Sequence, residues 1–205
     1  AYIVTCDNEI KEVAEGFGAK VIMTSDKHER CTDRIAEGCQ KLIQNGYDFD
    51  IVLNIQGDEP LLNPDTLNLL AKPFFENSDI SCVNLIEQLE TEDEINSLNN
   101  VKAIFDQLGF ALYFSRLPVP NGIKNKHYKQ LGVYGLTKAA VLKYPEMKQT
   151  PLEIAESDDM LRFVENGIKV KVVLSPFKTT GVDTPDDRVE VCKLMDKDPF
   201  FPLYK

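Results

Sequence analysis

The stretch Asp50-Ile-Val-Leu-Asn-Ile-Gln-Gly-Asp-Glu-Pro60 decides the fold. Its first seven residues, DIVLNIQ, carry four apolar residues, Ile51, Val52, Leu53 and Ile55, three of them β-branched, and the run stops at a glycine and a proline; this is the strongest strand signal in the chain. A run of that kind suits a strand lying centrally in a sheet that is covered on both faces. Toward the N-terminus, residues 20–23 and 2–5 read as two further strands. Between these three, helices are predicted over residues 8–16, capped by Asp7, and 32–44, where Ile35, Cys39, Leu42 and Ile43 share a face. Toward the C-terminus, Pro64 opens a helix through Phe75, and residues 80–85 form the next strand. Strands alternating with helices specify an α/β fold with a mostly parallel twisted sheet flanked by helices.

The middle changes character. Residues 101–105 and 110–114 flank the turn 106–109 and read as a hairpin, which with a strand over 129–136 gives a small antiparallel lobe, residues 101–136, inside a single domain spanning 1–205. The loop 115–126, with Pro118, Pro120 and Gly122, is expected to be a mobile segment or a subunit contact. A short helix follows over 137–144. Thr150-Pro-Leu-Glu153 is a capping box and Gly167 a stop, so one helix is predicted between them; residues 170–174 are a strand, and Thr184-Pro-Asp-Asp187 opens the last helix.

With 205 residues, 43% hydrophobic, the chain buries enough surface to need no disulfide or metal staple. Its 33 acidic residues outnumber 23 basic ones, a net charge of -10, which argues against nucleic-acid binding and against docking on an anionic membrane. Five cysteines without a C-x-x-C pair fit a reducing compartment, and no apolar run reaches a membrane span; the protein reads as cytosolic. Two histidines, His28 and His127, leave little room for a histidine metal site or a histidine-based hydrolase, and no G-x-G-x-x-G follows a strand.

Chemistry then rests on a few residues. Asp58 follows the 50–56 strand, where ligands bind in open α/β sheets, and Gly57 lets backbone approach a ligand; the alternative is an acidic turn that caps the next helix. Asp183 stands at a second strand-to-helix junction, where it can bond the following turn or, together with Asp58, hold one Mg²⁺ under a triphosphate. Arg30, Thr32 and Arg34 precede or open a helix and suit a base or phosphate, unless the arginines pair with Asp33 or Glu37. Arg116 suits a sugar-acid carboxylate or an interface ion pair. Gln130 and Tyr134 share a strand face, although Tyr134 is also a core candidate.

The strings CTDRIAE (31–37), NIQGDEP (54–60), ALYFSRLPVP (111–120), LGVYG (131–135), PLEIAESDDMLRFVENG (151–167) and GVDTPDD (181–187), in this order, resemble the cytidylyltransferases that activate 3-deoxy-manno-octulosonate, the CMP-Kdo synthetases. The resemblance covers essentially the whole chain. It implies a Rossmann-type fold of the nucleotide-diphospho-sugar transferase kind, a homodimer, and Mg²⁺-dependent transfer of CMP from CTP to the sugar acid with release of pyrophosphate, a step toward lipopolysaccharide or another surface polysaccharide. It further implies that Asp58 and Asp183 are the catalytic metal carboxylates, that Arg30, Thr32, Arg34, Gln56 and Gly57 serve the nucleotide, and that Arg116, Gln130, Tyr134 and Asp159 serve the sugar. The chain departs from the family's usual residues at Arg30-Cys31, at Gln130, where a histidine is usual, and at Asp159-Met160, where Glu-Gln is usual. The last two changes fall on the sugar side and point to a related sugar, such as an 8-amino analogue. The resemblance also implies a strand and a basic triphosphate loop ahead of Ala1. Either such a segment precedes Ala1 or the chain is a non-catalytic nucleotide-binding relative; the first is expected, since a parallel sheet without that strand exposes unpaired edges.

Overall fold

Strand and helix alternate along the chain as their apolar periods dictate. A computed structural model describes residues 1–122 and 126–204. In chain order the elements are β1 (Ile3–Thr5), α1 (Asn8–Gly16), β2 (Val21–Met23), α2 (Cys31–Gln44), β3 (Ile51–Ile55), α3 (Asp65–Glu76), β4 (Cys82–Leu89), α4 (Glu92–Asn96), β5 (Lys102–Phe105), β6 (Ala111–Ser115), β7 (His127–Thr137), α5 (Lys138–Lys143), α6 (Pro151–Glu156), α7 (Asp159–Glu165), β8 (Val170–Leu174) and α8 (Pro185–Met195). Part of the predicted loop 115–126, residues 123–125, lies outside the described residues. Among the described residues no helix is long and apolar enough to cross a membrane.

The chain divides into two compact units, one of Ala1–Val52 and Leu136–Ile168, the other of Leu53–Gly135 and Lys169–Lys205. In the first, β1 and β2 pair in parallel, Ile3 opposite Val21. Asp7 caps α1 as expected, its Oδ1 accepting from Glu9 N at 2.7 Å and Ile10 N at 3.1 Å. Helix α2 lies close on β1: a Cβ at Gly38 would stand 3.1 Å from a Val4 methyl, so glycine sets that approach.

The helix predicted between Thr150 and Gly167 is two helices. Ser157 takes a left-handed conformation, φ 53°, and Asp158 caps α7 by accepting from Met160 N at 2.9 Å. Serine and aspartate bond nearby backbone more readily than they continue a helix, and here two adjacent ones turn the chain.

In the second unit β4 is the buried centre, parallel to β8 with Cys82 opposite Val170. β5 and β6 form the expected antiparallel hairpin, and β5 also pairs antiparallel with β7. Asp106 holds the turn, its Oδ1 accepting from Leu108 N and Phe110 N, both at 2.9 Å. Leu70, Ile80, Val83, Leu85, Leu131 and Val133 form the core, flanked by Leu53, Leu62, Phe74 and Val173. The expectation that residues 50–56 lie centrally is corrected: among the described residues β3 pairs with β7 alone, and Ile55 is 45% exposed. An apolar run sets how much a strand wants to be buried, but its neighbours are chosen by pairing far along the chain, and here β4 and β7 take the centre.

Candidate functional site

The candidate residues fall into two groups, one in each unit. In the second unit, Asp58 lies just beyond β3, and Asp183 lies just before α8. Their loops are joined by a backbone bond, Val182 N donating to Asp58 O at 2.9 Å, and a Cβ at Gly181 would come within 3.3 Å of the same oxygen. Asp187 fixes the second loop by accepting from Thr184 N at 2.7 Å and Asp183 N at 3.1 Å, while its own N–H donates to Thr184 Oγ1 at 3.2 Å. Burial raises the Asp183 carboxyl above its ordinary value. The negative charges of Asp58 and Asp187 push it further up, against Arg116 and Lys129. The two acids are thus brought together, and Arg116 stands near enough to act on Asp183. One Arg116 nitrogen donates to Leu98 O at 3.1 Å.

Behind the acids runs a polar network that the sequence reading missed. Glu59 accepts from Gly132 N at 3.1 Å through one oxygen and from Thr179 Oγ1 at 3.0 Å through the other. Thr179 N donates to Glu87 at 2.9 Å, and Lys129 Nζ donates to Thr179 O at 3.1 Å and lies 3.7 Å from Glu87. Burial raises Glu59 and Glu87 above the usual carboxylate range, and Lys129 opposes it in both. Glu59 sits in the NIQGDEP string, but its partners Gly132 and Thr179 lie far along the chain and leave no local signal. Gln56 N donates to Gly132 O at 3.0 Å, and a Cβ at Gly132 would be 2.8 Å from Gln56 Oε1, so that glycine makes room for the Gln56 side chain. A Cβ at Gly57 would meet open space. Gln130 donates through Nε2 to Asn84 Oδ1 at 2.8 Å, and Asn84 Nδ2 is held by the carbonyls of Leu85 and Leu131 at 2.9 and 3.0 Å. Tyr134 is buried, 2% exposed, on the same strand β7 as Gln130.

In the first unit the start of α2 meets the α6–α7 corner. Asp159 Oδ2 accepts from Thr32 N at 2.9 Å and from Thr32 Oγ1 at 2.8 Å. Burial raises the Asp159 carboxyl, and the Thr32 bonds and the Arg30 charge pull it down. Arg30 donates to Ser157 Oγ at 2.8 Å and to Glu153 O at 3.2 Å, and its Nε lies 3.3 Å from Glu153 Oε1. Arg162, 2% exposed, pairs with Glu153 at 2.6 Å and Asp33 at 3.2 Å, and its guanidinium stacks 3.9 Å from the Tyr144 ring centre. Arg34 donates to Thr24 Oγ1 at 2.8 Å and Ser25 O at 3.1 Å. The alternative in which Arg30 and Arg34 pair with Asp33 or Glu37 is therefore not what forms. Asp33 is taken by Arg162, and Glu37 by Lys41 at 2.7 Å and by His28. Glu153 was legible as a cap and accepts from Thr150 N at 3.1 Å, but its pairing with Arg162 has no local signal.

Among the described residues no group of three or more His, Cys, Asp or Glu is set to hold a metal by itself. Two hard carboxylates on adjoining loops nevertheless suit Mg²⁺, which often takes one or two carboxylates and fills its octahedron with phosphate oxygens and water. The mutual repulsion at Asp183 is what a cation between the acids would relieve.

Residues 1–171 match the cytidylyltransferase family. The chain belongs to that family. As a cytidylyltransferase it is 40% identical over 198 residues to the 3-deoxy-manno-octulosonate cytidylyltransferase of Thermodesulfovibrio yellowstonii, covering 91% of this chain and 77% of that protein. It is also 40% identical over 205 residues to the enzyme of the same name from Francisella philomiragia, covering 95% and 81%. Among solved structures it superposes on CMP:2-keto-3-deoxy-manno-octonic acid synthetase complexed with CTP, with a TM-score of 0.84 and 30% identity over 96% of this chain and 80% of that one. The cytidylyltransferase fold, with its sheet flanked by helices, agrees with the α/β reading of the sequence.

Proposed function

We propose that this cytidylyltransferase activates a 3-deoxy-manno-octulosonate-type sugar acid: CTP and the sugar acid give the CMP-sugar and pyrophosphate. The observation that carries the reading is the pairing of Asp58 and Asp183 on two joined loops. In the reaction the anomeric hydroxyl oxygen attacks the α-phosphorus of CTP. The bond from that phosphorus to its bridging oxygen breaks, and pyrophosphate leaves with the electron pair. Asp58 and Asp183 would hold Mg²⁺, and that ion would supply charge neutralisation on the phosphates. Gln56 and Gly57 lie against the nucleotide, and the open space at Gly57 is what close backbone approach requires. Arg30, Thr32 and Arg34 serve the nucleotide. Thr32 and the two arginines are already fixed by protein partners, so their part is to hold a shaped loop rather than to swing onto a phosphate. Arg116 provides the cation for the sugar carboxylate, and Gln130, Tyr134 and Asp159 serve the rest of the sugar.

The sugar identity has a second reading. One amide hydrogen of Gln130 goes to Asn84, and the side chain keeps a second hydrogen and a carbonyl oxygen. The two departures from the family's usual residues, Gln130 for histidine and Asp159-Met160 for Glu-Gln, favour a related sugar, such as an 8-amino analogue. Three exposed leucines on or beside the β5–β6 hairpin, Leu108, Leu112 and Leu117, support a homodimer through that lobe, and five cysteines outside any disulfide support a cytosolic setting. Pyrophosphate release from CTP is the test, with 3-deoxy-manno-octulosonate and its 8-amino analogue as acceptors. Release with either, dependent on Mg²⁺, is the expected result, and the larger kcat/KM picks the sugar. CTP binding without release in the full-length protein would instead make it a non-catalytic relative.

A further inference from the structure

We infer that Glu59 is the positioning residue that sets the distance between Asp58 and Asp183, acting as a tether and not as a metal ligand. This rests on the reading of those two acids as the Mg²⁺ pair. Glu59 directly follows Asp58, so whatever holds its side chain holds the first acid's loop. One of its oxygens is anchored on β7 through Gly132 N at 3.1 Å, and the other reaches Thr179 Oγ1 at 3.0 Å, four residues before Asp183. Thr179 is itself immobilised on its remaining sides, its N–H on Glu87 at 2.9 Å and its carbonyl on Lys129 at 3.1 Å. One carboxylate therefore ties both acid-bearing loops to the sheet, and the Val182-to-Asp58 backbone bond closes the frame at its other end. Both Glu59 oxygens are occupied by donors from the protein. That arrangement orients the neighbouring ligand the way outer-shell partners orient metal ligands elsewhere.

The tether is separable from a charge or a ligand role by choice of variant. Glu59→Ala removes both anchors. Glu59→Gln keeps the reach, because an amide oxygen still accepts from Gly132 and its nitrogen still bonds the Thr179 hydroxyl. Thr179→Val cuts only the second anchor, and Thr179→Ser restores it. The experiment measures binding of Mn²⁺, in place of Mg²⁺, by electron paramagnetic resonance with saturating CTP, alongside the Mg²⁺ dependence of pyrophosphate release. Glu59→Ala and Thr179→Val are expected to weaken Mn²⁺ binding by about 10-fold, with Glu59→Gln and Thr179→Ser staying within about 3-fold of the parent. KM for CTP in the absence of a metal-affinity change would not move under this scheme. Parent-like Mn²⁺ affinity in Glu59→Ala and Thr179→Val overturns the tether. A loss in Glu59→Gln as large as in Glu59→Ala also overturns it, because charge or ligation would then be the working property. If Glu59→Ala does not fold, Thr179→Val against Thr179→Ser decides alone. A parent protein that binds no Mn²⁺ with CTP overturns the metal-pair reading itself, which is a different result from a parent that binds and variants that match it.

Discussion

In the first unit Asp33, Glu153 and Asp159 each meet a cation or a backbone donor, and Arg162 is enclosed between two carboxylates and the Tyr144 ring; in the second, Asp58 and Asp183 sit on joined loops and raise rather than relieve the cost of charge. Both clusters mix acids with bases, and composition alone does not tell them apart. Neutralised charge, satisfied from every side, holds helices α2, α6 and α7 in register. Like charges left facing one another cost stability and persist where a ligand supplies the missing cation. Removing a charge should therefore have opposite effects on stability in the two places.

The largest stability effect is expected at Arg162. Arg162→Met leaves Asp33 without its cation and Glu153, which is 0% exposed, with Arg30 as its remaining cation, and breaking a buried pair from one side costs about 3–5 kcal/mol. Denaturant unfolding checks it. The double variant Glu153→Gln with Arg162→Met should recover part of the loss, since it removes the stranded charge. A single variant that unfolds at the parent's midpoint would end the claim that this network is structural.

Asp58→Asn and Asp183→Asn come next. Each removes a carboxylate from the proposed metal pair, and turnover should fall by about 10²–10³. The sign of the stability change is the sharper part. The Asp183 carboxyl is raised in the fold by burial and by Asp58, so its ionised form is a penalty above that raised value and is relieved as pH falls through it. Asp183→Asn should therefore raise Tm at pH 7 while turnover collapses, and the gain should shrink on acidification. Near-normal turnover at saturating Mg²⁺, or a lowered Tm, breaks the contrast between the units.

What was readable in advance follows the same division between local and distant causes. The start of helix α8 was legible to the residue because Thr184, Pro185 and Asp187 act within one turn, and the structure shows the reciprocal cap. The hairpin at Asp106 was legible for the same reason. The position of β3 was not, since its neighbour β7 begins 72 residues further on than β3 ends, at His127 after Ile55. Nor was the break at Ser157, where the capping box and the glycine stop both favoured one helix and a tertiary grip on Arg30 and Thr32 favoured two. Asp58 and Asp183 were each visible at a strand-to-helix junction, whereas the Glu59–Thr179 bond joins residues 120 apart and leaves no pattern in the sequence.

Gly132→Ala probes the second unit without touching a charge. The new Cβ would stand 2.8 Å from Gln56 Oε1 and 3.2 Å from Gln56 Cβ, so the side chain must move. Overpacking of this kind costs about 1 kcal/mol. The expected signature is a several-fold rise in KM for CTP with a smaller change in kcat, because Gln56 is read as a nucleotide contact and not as a metal ligand. An unchanged KM would remove Gln56 from the nucleotide's surroundings.

The smallest effect tests whether a partly exposed, neutralised acid behaves like the buried ones. Glu37 is pushed up by burial, but Lys41, the Ser25 N–H and His28 outweigh this and hold it at about 2, against an ordinary 4.5. It closes the segment ahead of α2, accepting from Ser25 N at 3.0 Å and pairing with Lys41 at 2.7 Å. A carboxyl lowered in the fold gives stability that is present above its unfolded value and is lost as pH falls toward the folded one, here between about 4.5 and about 2. Glu37→Gln should thus cost about 1 kcal/mol or less at pH 7, since the side chain is 22% exposed and solvent screens the pair. The gap in Tm between parent and variant should narrow steadily below pH 4.5. This is the reverse of Asp183→Asn, which begins with a gain. A Glu37→Gln gap that stays constant down the acid range would mean that shape and not charge holds the segment, and the first unit would then owe less to neutralised pairs than the second owes to its opposed ones.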